Sequence, residues 1–223
     1  MTDRRRGLMG AAKGRLPAGY TELKYLESSG HQYINTNVVG AEGDIVTVKG
    51  RLVAQYSWGL ICGTHPSGSW TNCYASLQAT QRGDIIQAMT GARSGGIDAF
   101  RYNEPSSVTF DYAALKAYAE GVELGALQTP NSTLKPWTLF GANNTGKAQP
   151  ELEGKPIVYF ASVVRNGSYV REFVPCIRNS DGKPGMFDLA GSVCQLSNSP
   201  LYINSGSGEF GYETLDGVHV APV

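Results

Sequence analysis

The chain has 223 residues, and its 19 lysines and arginines balance its 19 aspartates and glutamates to give a formal net charge of zero. It therefore has no overall field to attract nucleic acid or anionic membrane, and no apolar run approaches the roughly 20 residues that a membrane-spanning helix needs. Charged residues make up 17% and glycine contributes 28 residues, which is typical of short strands joined by tight turns rather than of helices.

The N-terminal segment 1–15, MTDRRRGLMGAAKGR, is basic and poor in residues that pack. It lacks the apolar stretch of a secretory signal, so we expect synthesis in the cytoplasm of the producing cell. Three interpretations stay open: a solvated leader, an arm that docks on a neighbouring subunit, and a nucleic-acid contact, for which arginines without interleaved aromatic residues are weak evidence. In the arm interpretation, charged and apolar side chains of this segment contact the neighbouring subunit. The charged ones are Arg4, Arg5 and Arg6, and the apolar ones are Leu8 and Met9.

From Leu16 onward the pattern becomes that of β-strands: short alternating segments separated by Gly, Asn, Asp or Pro. The predicted strands are, in chain order, Tyr20–Glu27, Gln32–Asn37, Asp44–Val53, Ser57–Cys62, Cys73–Leu77, Asp84–Met89, Ser107–Tyr112, Trp137–Gly141, Ile157–Val164, Tyr169–Val174, Leu201–Ile203 and Gly217–Val220. Turn signals recur at the spacing typical of a sandwich, and no linker divides the segment. We therefore predict one two-sheet antiparallel β-sandwich over residues 16–223.

The stretch 111–125, DYAALKAYAEGVELG, is ambiguous, because Ala, Leu, Lys and Glu also favour an amphipathic helix. The rival is a β-hairpin with strands Leu115–Glu120 and Val122–Leu124. We favour the hairpin because Gly121 stands where a tight turn needs it.

Four cysteines occur, Cys62, Cys73, Cys176 and Cys194, with no C-x-x-C spacing and no regular histidine spacing of a zinc site. In a chain without an export signal we expect them to be buried thiols rather than disulfides. Cys62 and Cys73 flank a loop, and the sequence does not decide whether they face each other.

Two end segments resemble the concanavalin A-like lectin/glucanase domains of phage and prophage structural proteins. The first is LPAGYTELKYLESSGHQYINTNV at 16–38, and the second is REFVPCIRNSDGKPGMFDLAGSVC at 171–194, which includes a G-x-x-D-L strand. Between them, LKAYAEGVELG resembles a hairpin of that family, and the basic leader is similar to the short starts of its phage members. The resemblance spans residues 16–212 and implies a jelly roll.

The resemblance also implies a virion component, such as a tail, fibre, baseplate or capsid-surface protein, that touches host glycans. In that setting the partners are other virion subunits, reached through the N-terminal arm, and the protein is an oligomer. Neither nucleic acid nor membrane insertion is expected.

Glucanases of this fold place two or three carboxylates on one strand, where a period of two puts them on one face. The close acidic pairs in this chain lie at predicted turns or loops, so we interpret them as solvated and expect no catalysis. These pairs are Glu42 and Asp44, Glu120 and Glu123, and Glu151 and Glu153.

The remaining polar motifs indicate neither a catalytic triad nor a metal site. We expect His219 on the outward side of the short last strand. A Ca²⁺ site could use Asn179, Asp181 and Asp188, but their positions favour a turn and a strand end. We therefore predict no cofactor, with calcium left open.

Sugar binding needs an exposed aromatic face with polar partners. Trp58 and Trp137 lie in apolar strands and are expected in the core or at its rim. Trp70 lies in a polar loop and is the best platform, with neighbours at His65 and Tyr74. A second polar loop offers the amides of Asn143 and Asn144.

These observations favour a non-catalytic virion structural or adhesion protein, found in the virion and anchored by its arm, with glycan binding as a further expected property. The alternatives are a stand-alone carbohydrate-binding module that uses the Trp70 loop and a glycoside hydrolase of the glucanase type.

Overall fold

The computed structural model describes residues 15–53, 59–65, 73–79, 85–91, 96–129, 135–144, 147–149 and 155–223, and these residues form an all-β protein. No helix in this part of the chain is long and apolar enough to cross a membrane. Its strands are β1 Tyr20–Glu27, β2 Ile34–Val39, β3 Ile45–Leu52, β4 Leu60–His65, β5 Cys73–Ala79, β6 Ile85–Gly91, β7 Ile97–Arg101, β8 Ser106–Asp111, β9 Lys116–Ala119, β10 Val122–Ala126, β11 Pro136–Leu139, β12 Ala142–Asn144, β13 Lys147–Gln149, β14 Pro156–Arg165, β15 Ser168–Arg178, β16 Lys183–Asp188, β17 Leu201–Ile203, β18 Gly211–Thr214 and β19 His219–Val220.

The large sheet contains eleven of the described strands, in the order β10-β9-β8-β3-β14-β1-β15-β16-β17, with β18 paired to β1 and β19. Strand β1 is central, because it pairs with β15 near its start and with β14 near its end. The two segments that resemble family motifs therefore pair directly, for example through Tyr20 and Arg178. All strand pairs of this sheet are antiparallel.

The small sheet contains eight of the described strands, in the order β13-β12-β4-β5-β6-β7, with β11 paired to β4 and β2. Its pairs are antiparallel except for β12 and β4, which run parallel. Apart from this one parallel pair, the described strands form two antiparallel sheets, so the prediction of an all-β protein with two such sheets is confirmed.

The main core lies between the two sheets. The large sheet contributes Val48 and Leu52, the small sheet contributes Leu77 and Trp137, and all four side chains are fully buried. Gly50 of β3 marks a close approach of the sheets, because a Cβ there would lie 2.8 Å from Ile61 of β4. Each buried side chain of this size stabilises the fold by about 1.5–3 kcal/mol, so this interface is the main source of stability.

The ambiguous segment is a hairpin, as predicted. Strands β9 and β10 pair around Glu120 and Gly121, whose φ angles are 48° and 81°. Two successive positive φ angles define the tight turn that favours glycine at its second position. At the other end of the chain, β19 exposes His219, whose Nε2 lies 2.9 Å from Glu27 of β1.

All four cysteines are buried and none forms a disulfide, which confirms that prediction. Burial raises the thiol pKa of Cys62, Cys73 and Cys176 to about 12. These thiols are therefore protonated and unreactive near neutral pH.

Candidate ligand-binding face

Three of the residues selected from the sequence for ligand binding lie at one end of the small sheet. His65 is the last residue of β4, and Asn143 and Asn144 belong to β12. The parallel register places Asn144 opposite His65 and Asn143 opposite Thr64, so the main chains of these two predicted loops are neighbours. Trp70 and Trp58 lie outside the described residues.

Tyr74 is a core residue, and its prediction as a surface ligand contact is corrected. Its side chain is fully buried, its ring stacks on Tyr112 with centroids 5.0 Å apart, and its hydroxyl donates to Asp44 at 2.7 Å. Burial, followed by the Asp44 carboxylate, raises the pKa of Tyr74 well above its usual range. The ring therefore packs in the core between the two sheets.

A β-bulge at Ala75 explains why Tyr74 points inward. Ala75 has a φ of 43°, which is uncommon for a residue with a Cβ, and the register shifts between Cys73 and Ser76. Its N–H donates to the Tyr112 hydroxyl at 2.8 Å, and its carbonyl accepts from Trp137 Nε1 at 3.2 Å. Trp137 is fully buried, as predicted, and this bulge turns Ser76 to the opposite face.

Polar side chains form two rows across the outer face of the small sheet, the face that points away from the main core. Each of them alternates along its strand with core residues. In one row Thr138 lies opposite Gly63, and a Cβ at Gly63 would lie 1.9 Å from the Ser76 hydroxyl. In the other row, Gln78 lies opposite Gln87.

Three polar atoms of this face are buried and have no hydrogen-bond partner among the described residues: Ser76 Oγ, Gln78 Oε1 and Thr138 Oγ1. Ser76 and Thr138 are fully buried and Gln78 is 2% exposed. An unpaired buried polar atom costs about 1–3 kcal/mol, so such atoms are rare in folded proteins unless a ligand or water binds them. Their grouping on one face marks it as the candidate site.

Gln87 and Asp98 extend the second row to the edge of the sheet. They lie opposite each other on β6 and β7, and Gln87 Nε2 donates to Asp98 Oδ1 at 2.7 Å. Buried apolar side chains on the same face, Leu60 and Met89, belong to neither core cluster. The face therefore combines amides, hydroxyls and a carboxylate with buried apolar side chains.

The first acidic pair differs from its prediction. Glu42 is exposed, but Asp44 is fully buried, and the interpretation of a solvated turn is wrong for it. Its carboxylate accepts hydrogen bonds from Arg165 at 2.7 and 3.0 Å and from Tyr74. Because Arg165 lies far away in the sequence, the local glycine-rich pattern gave no sign of this partner.

The other acidic pairs offer no paired carboxylates on the outer face. Glu120 accepts a hydrogen bond from the Ser107 N–H at 2.7 Å, and Glu123 pairs with Lys116 at 2.7 Å, both in exposed positions on the hairpin. Glu151 and Glu153 lie outside the described residues.

The calcium candidates are occupied by protein partners. Asn179 accepts from Thr21 at 2.8 Å, and Asp181 accepts from Arg178 at 2.9 and 2.6 Å. Asp188 ends β16 as a buried carboxylate, and its Oδ1 accepts from two backbone N–H groups at 2.8 and 3.0 Å. Within the described ranges, no group of three or more His, Cys, Asp or Glu residues could hold a metal ion.

The end of the predicted arm lies on the outer face of the large sheet, on the other side of the sandwich. Arg15 forms an ion pair with Glu172 of β15. Leu16 packs against a second hydrophobic cluster that includes Val174 and Phe187. The five arm residues selected from the sequence lie outside the described residues: Arg4, Arg5, Arg6, Leu8 and Met9.

The sequence did not identify the polar rows. Ser76 lies in the predicted strand Cys73–Leu77, and Gln78 follows directly after it. A single strand considered alone does not show that its second face is buried. Asp98 lies in β7, which was not predicted. The signal that was available is the unusual run of amides and hydroxyls in strands β5 and β6.

No protein-family model matches the chain, and no curated protein matches it.

Proposed function

We propose that the protein is a non-catalytic structural and adhesion component of a phage particle. In this proposal it has a concanavalin A-like jelly roll, attaches to other virion subunits through its N-terminal arm, and binds a host-surface glycan at the outer face of the small sheet. The observation that carries the proposal is the group of buried, unpartnered polar atoms of Ser76, Gln78 and Thr138.

The chemistry of that face suits a saccharide. Sugar hydroxyls both donate and accept hydrogen bonds, and so do serine and threonine hydroxyls and glutamine amides. Gln87 and Asp98 add polar groups at the edge of the sheet.

Binding is favoured over hydrolysis by the carboxylates. Glycoside hydrolysis generally needs two carboxyl groups on either side of the scissile bond. Among the described side chains of this face Asp98 is the one carboxylate, and it accepts a hydrogen bond from Gln87. A stand-alone carbohydrate-binding module would use the same face.

The position of Arg15 and Leu16 supports attachment through the arm. They lie against the large sheet, so the described end of the arm is on the side opposite the small-sheet face. A subunit fixed to a particle on one side can then present the other side to the host. The direct pairing of the two family-like end segments supports the jelly-roll relationship.

A glycan array tests the binding part of the proposal. We expect the wild type to bind, Gln78→Ala and Trp70→Ala to lose signal, and Lys183→Gln on the large sheet to retain it. Absence of binding by the wild type, or equal signals for all four proteins, would overturn this part.

Deletion of residues 1–14 tests the assembly part separately, because it retains Arg15 and Leu16. We expect the shortened protein to fold and bind glycans as before but to be absent from purified particles. Incorporation at the wild-type level would show that the arm is not the attachment.

A further inference from the structure

A cluster of basic and aromatic side chains lies on the outer face of the large sheet, away from the proposed glycan face. Along β3, Val48 and Leu52 point into the core, so Lys49 and Arg51 point outward. The neighbouring strands place Tyr159 of β14 and Tyr25 of β1 beside them. The two tyrosine rings contact edge to face with centroids 5.4 Å apart.

The carboxylates near this cluster already have partners. Lys24 Nζ lies 2.5 Å from Glu213 of β18, and His219 lies 2.9 Å from Glu27. Neither Lys49 nor Arg51 makes an ion pair with any described residue. Lys49 Nζ lies over the ring of Tyr159, 6.0 Å from its centroid.

Arg51 has the clearest unmet hydrogen-bonding capacity. Its Nε is buried and has no hydrogen-bond partner in the described part of the chain. A buried guanidinium donor without an acceptor is costly, because water is removed and nothing replaces it. Arginine donors are also those best matched to carboxylate, sulfate and phosphate oxygens.

The tyrosines add neutral donors rather than negative charge. Burial is the main cause that raises the pKa of both Tyr25 and Tyr159, and the nearby positive charge of Arg51 opposes the rise in each. The register of β3 and β14 places Arg51 opposite Ile157, two residues before Tyr159. Both hydroxyls stay protonated near neutral pH, and that of Tyr159 makes no hydrogen bond to a described residue.

We propose that Arg51, Lys49 and Tyr159 form a binding site for a tetrahedral oxyanion, phosphate or sulfate, on the outer face of the large sheet. Arg51 Nε–H and the Tyr159 hydroxyl donate hydrogen bonds to the anion, and Lys49 supplies a second positive charge. The site is separate from the proposed glycan face and does not depend on it.

Two-dimensional ¹H–¹⁵N NMR tests the site, because the Arg51 Nε–H group gives its own signal. Sodium phosphate is titrated at constant ionic strength against sodium chloride. We expect saturable shifts of the Arg51 Nε–H signal and of the amides of residues 49–51 and 159. Arg51→Gln and Lys49→Gln should each weaken binding by about tenfold, whereas Lys135→Gln, at the exposed residue before β11, should not change it.

Arg51→Lys is the control for a folding defect in Arg51→Gln, because it keeps the positive charge and removes the Nε donor. It should weaken binding less than Arg51→Gln while leaving the thermal unfolding temperature close to that of the wild type. Shifts in the wild type that do not saturate, or that are the same in Arg51→Gln, would overturn the proposal.

Glucose and glucose 6-phosphate identify the source of the anion. Glucose alone should leave Arg51 unchanged, and glucose 6-phosphate should shift it. If glucose 6-phosphate binds more tightly than phosphate, the anion is carried by a sugar, and equal affinities indicate the free ion. A response to glucose equal to that to phosphate would contradict an anion site.

Discussion

The carboxylate of Asp44 accepts hydrogen bonds from both Nε and Nη2 of Arg165, at 2.7 and 3.0 Å, although 121 positions separate the two residues. The Asp44 side chain is fully buried, whereas that of Arg165 is 34% exposed. This ion pair connects the turn before β3 to the end of β14. The hydrogen bond from the Tyr74 hydroxyl to Asp44 also connects this turn to the small sheet. The buried carboxylate thus depends on a partner that can still reach water.

Arg165→Ala should destabilise the protein by about 3–5 kcal/mol, because it leaves a buried carboxylate without its compensating charge. Asp44→Asn should cost less, because the partly exposed Arg165 can be hydrated. Denaturant unfolding measures both. Arg178→Ala, which breaks the surface pair with Asp181, is the matched control with a much smaller loss. Equal losses for all three would mean that burial of the Asp44 pair has no energetic consequence.

The Asp181 carboxyl should titrate abnormally low. Its hydrogen bonds with Arg178 are the main cause that lowers its pKa from the ordinary 3.8 to about 2. The unfolded chain therefore binds this proton more readily, and the contribution of Asp181 to stability is complete above about pH 4 and is lost as the pH falls toward 2. Carboxyl ¹³C NMR measures the titration. In Arg178→Gln the pKa should return toward 3.8, and an unchanged value would exclude Arg178 as the cause.

The buried thiols should be inert in the folded protein. Burial raises the pKa of Cys62, Cys73 and Cys176 to about 12, so thiolate is scarce even at mildly alkaline pH. An aromatic disulfide reagent should react slowly with the native protein and rapidly with all four cysteines after denaturation. Rapid reaction of the native protein would contradict the burial of these residues.

Gly63 should not tolerate a side chain. Its φ is 151°, and a Cβ would lie 1.9 Å from the Ser76 hydroxyl on the outer face of the small sheet. Gly63→Ala should lower the free energy of unfolding by about 1–3 kcal/mol through overpacking.

The double variant Gly63→Ala with Ser76→Gly tests whether that contact is the cause. Removing the serine side chain should restore part of the lost stability, as measured by denaturant unfolding. Additive losses in the double variant would show that Ser76 does not contact position 63.

The fold was largely accessible from the sequence where strands have local signals. Tyr20–Glu27 and Leu201–Ile203 were predicted with their observed bounds, and Gly121 identified the hairpin turn. Strands β7, β12, β13 and β18 were missed, because each is too short to show clear alternation. Strand β16 was indicated only by the G-x-x-D-L motif of the resemblance.

The candidate site was harder to predict from the sequence, because its residues meet only through pairing between strands. Thr138, Gly63 and Ser76 come together only through the register of three strands. Tyr74 was misplaced because the bulge at Ala75, held by Tyr112, reverses the alternation that a regular strand would have. Such non-local contacts leave no pattern in a single segment.

In the proposed function, the unpaired hydroxyls on the outer face of the small sheet bind a ligand. Thr138→Val and Thr47→Val remove the same hydroxyl from opposite sheets. The Thr47 hydroxyl has a hydrogen-bond partner, Thr109 Oγ1 at 3.0 Å, whereas the Thr138 hydroxyl has none among the described residues. The two variants therefore separate binding from stability.

The most direct measurement is the free energy of unfolding of each variant together with its signal on the glycan array. We predict that Thr138→Val leaves stability unchanged or raises it by about 1 kcal/mol and loses binding, whereas Thr47→Val loses about 1 kcal/mol and keeps binding. A Thr138→Val protein that loses stability but binds glycans as the wild type does would contradict the account.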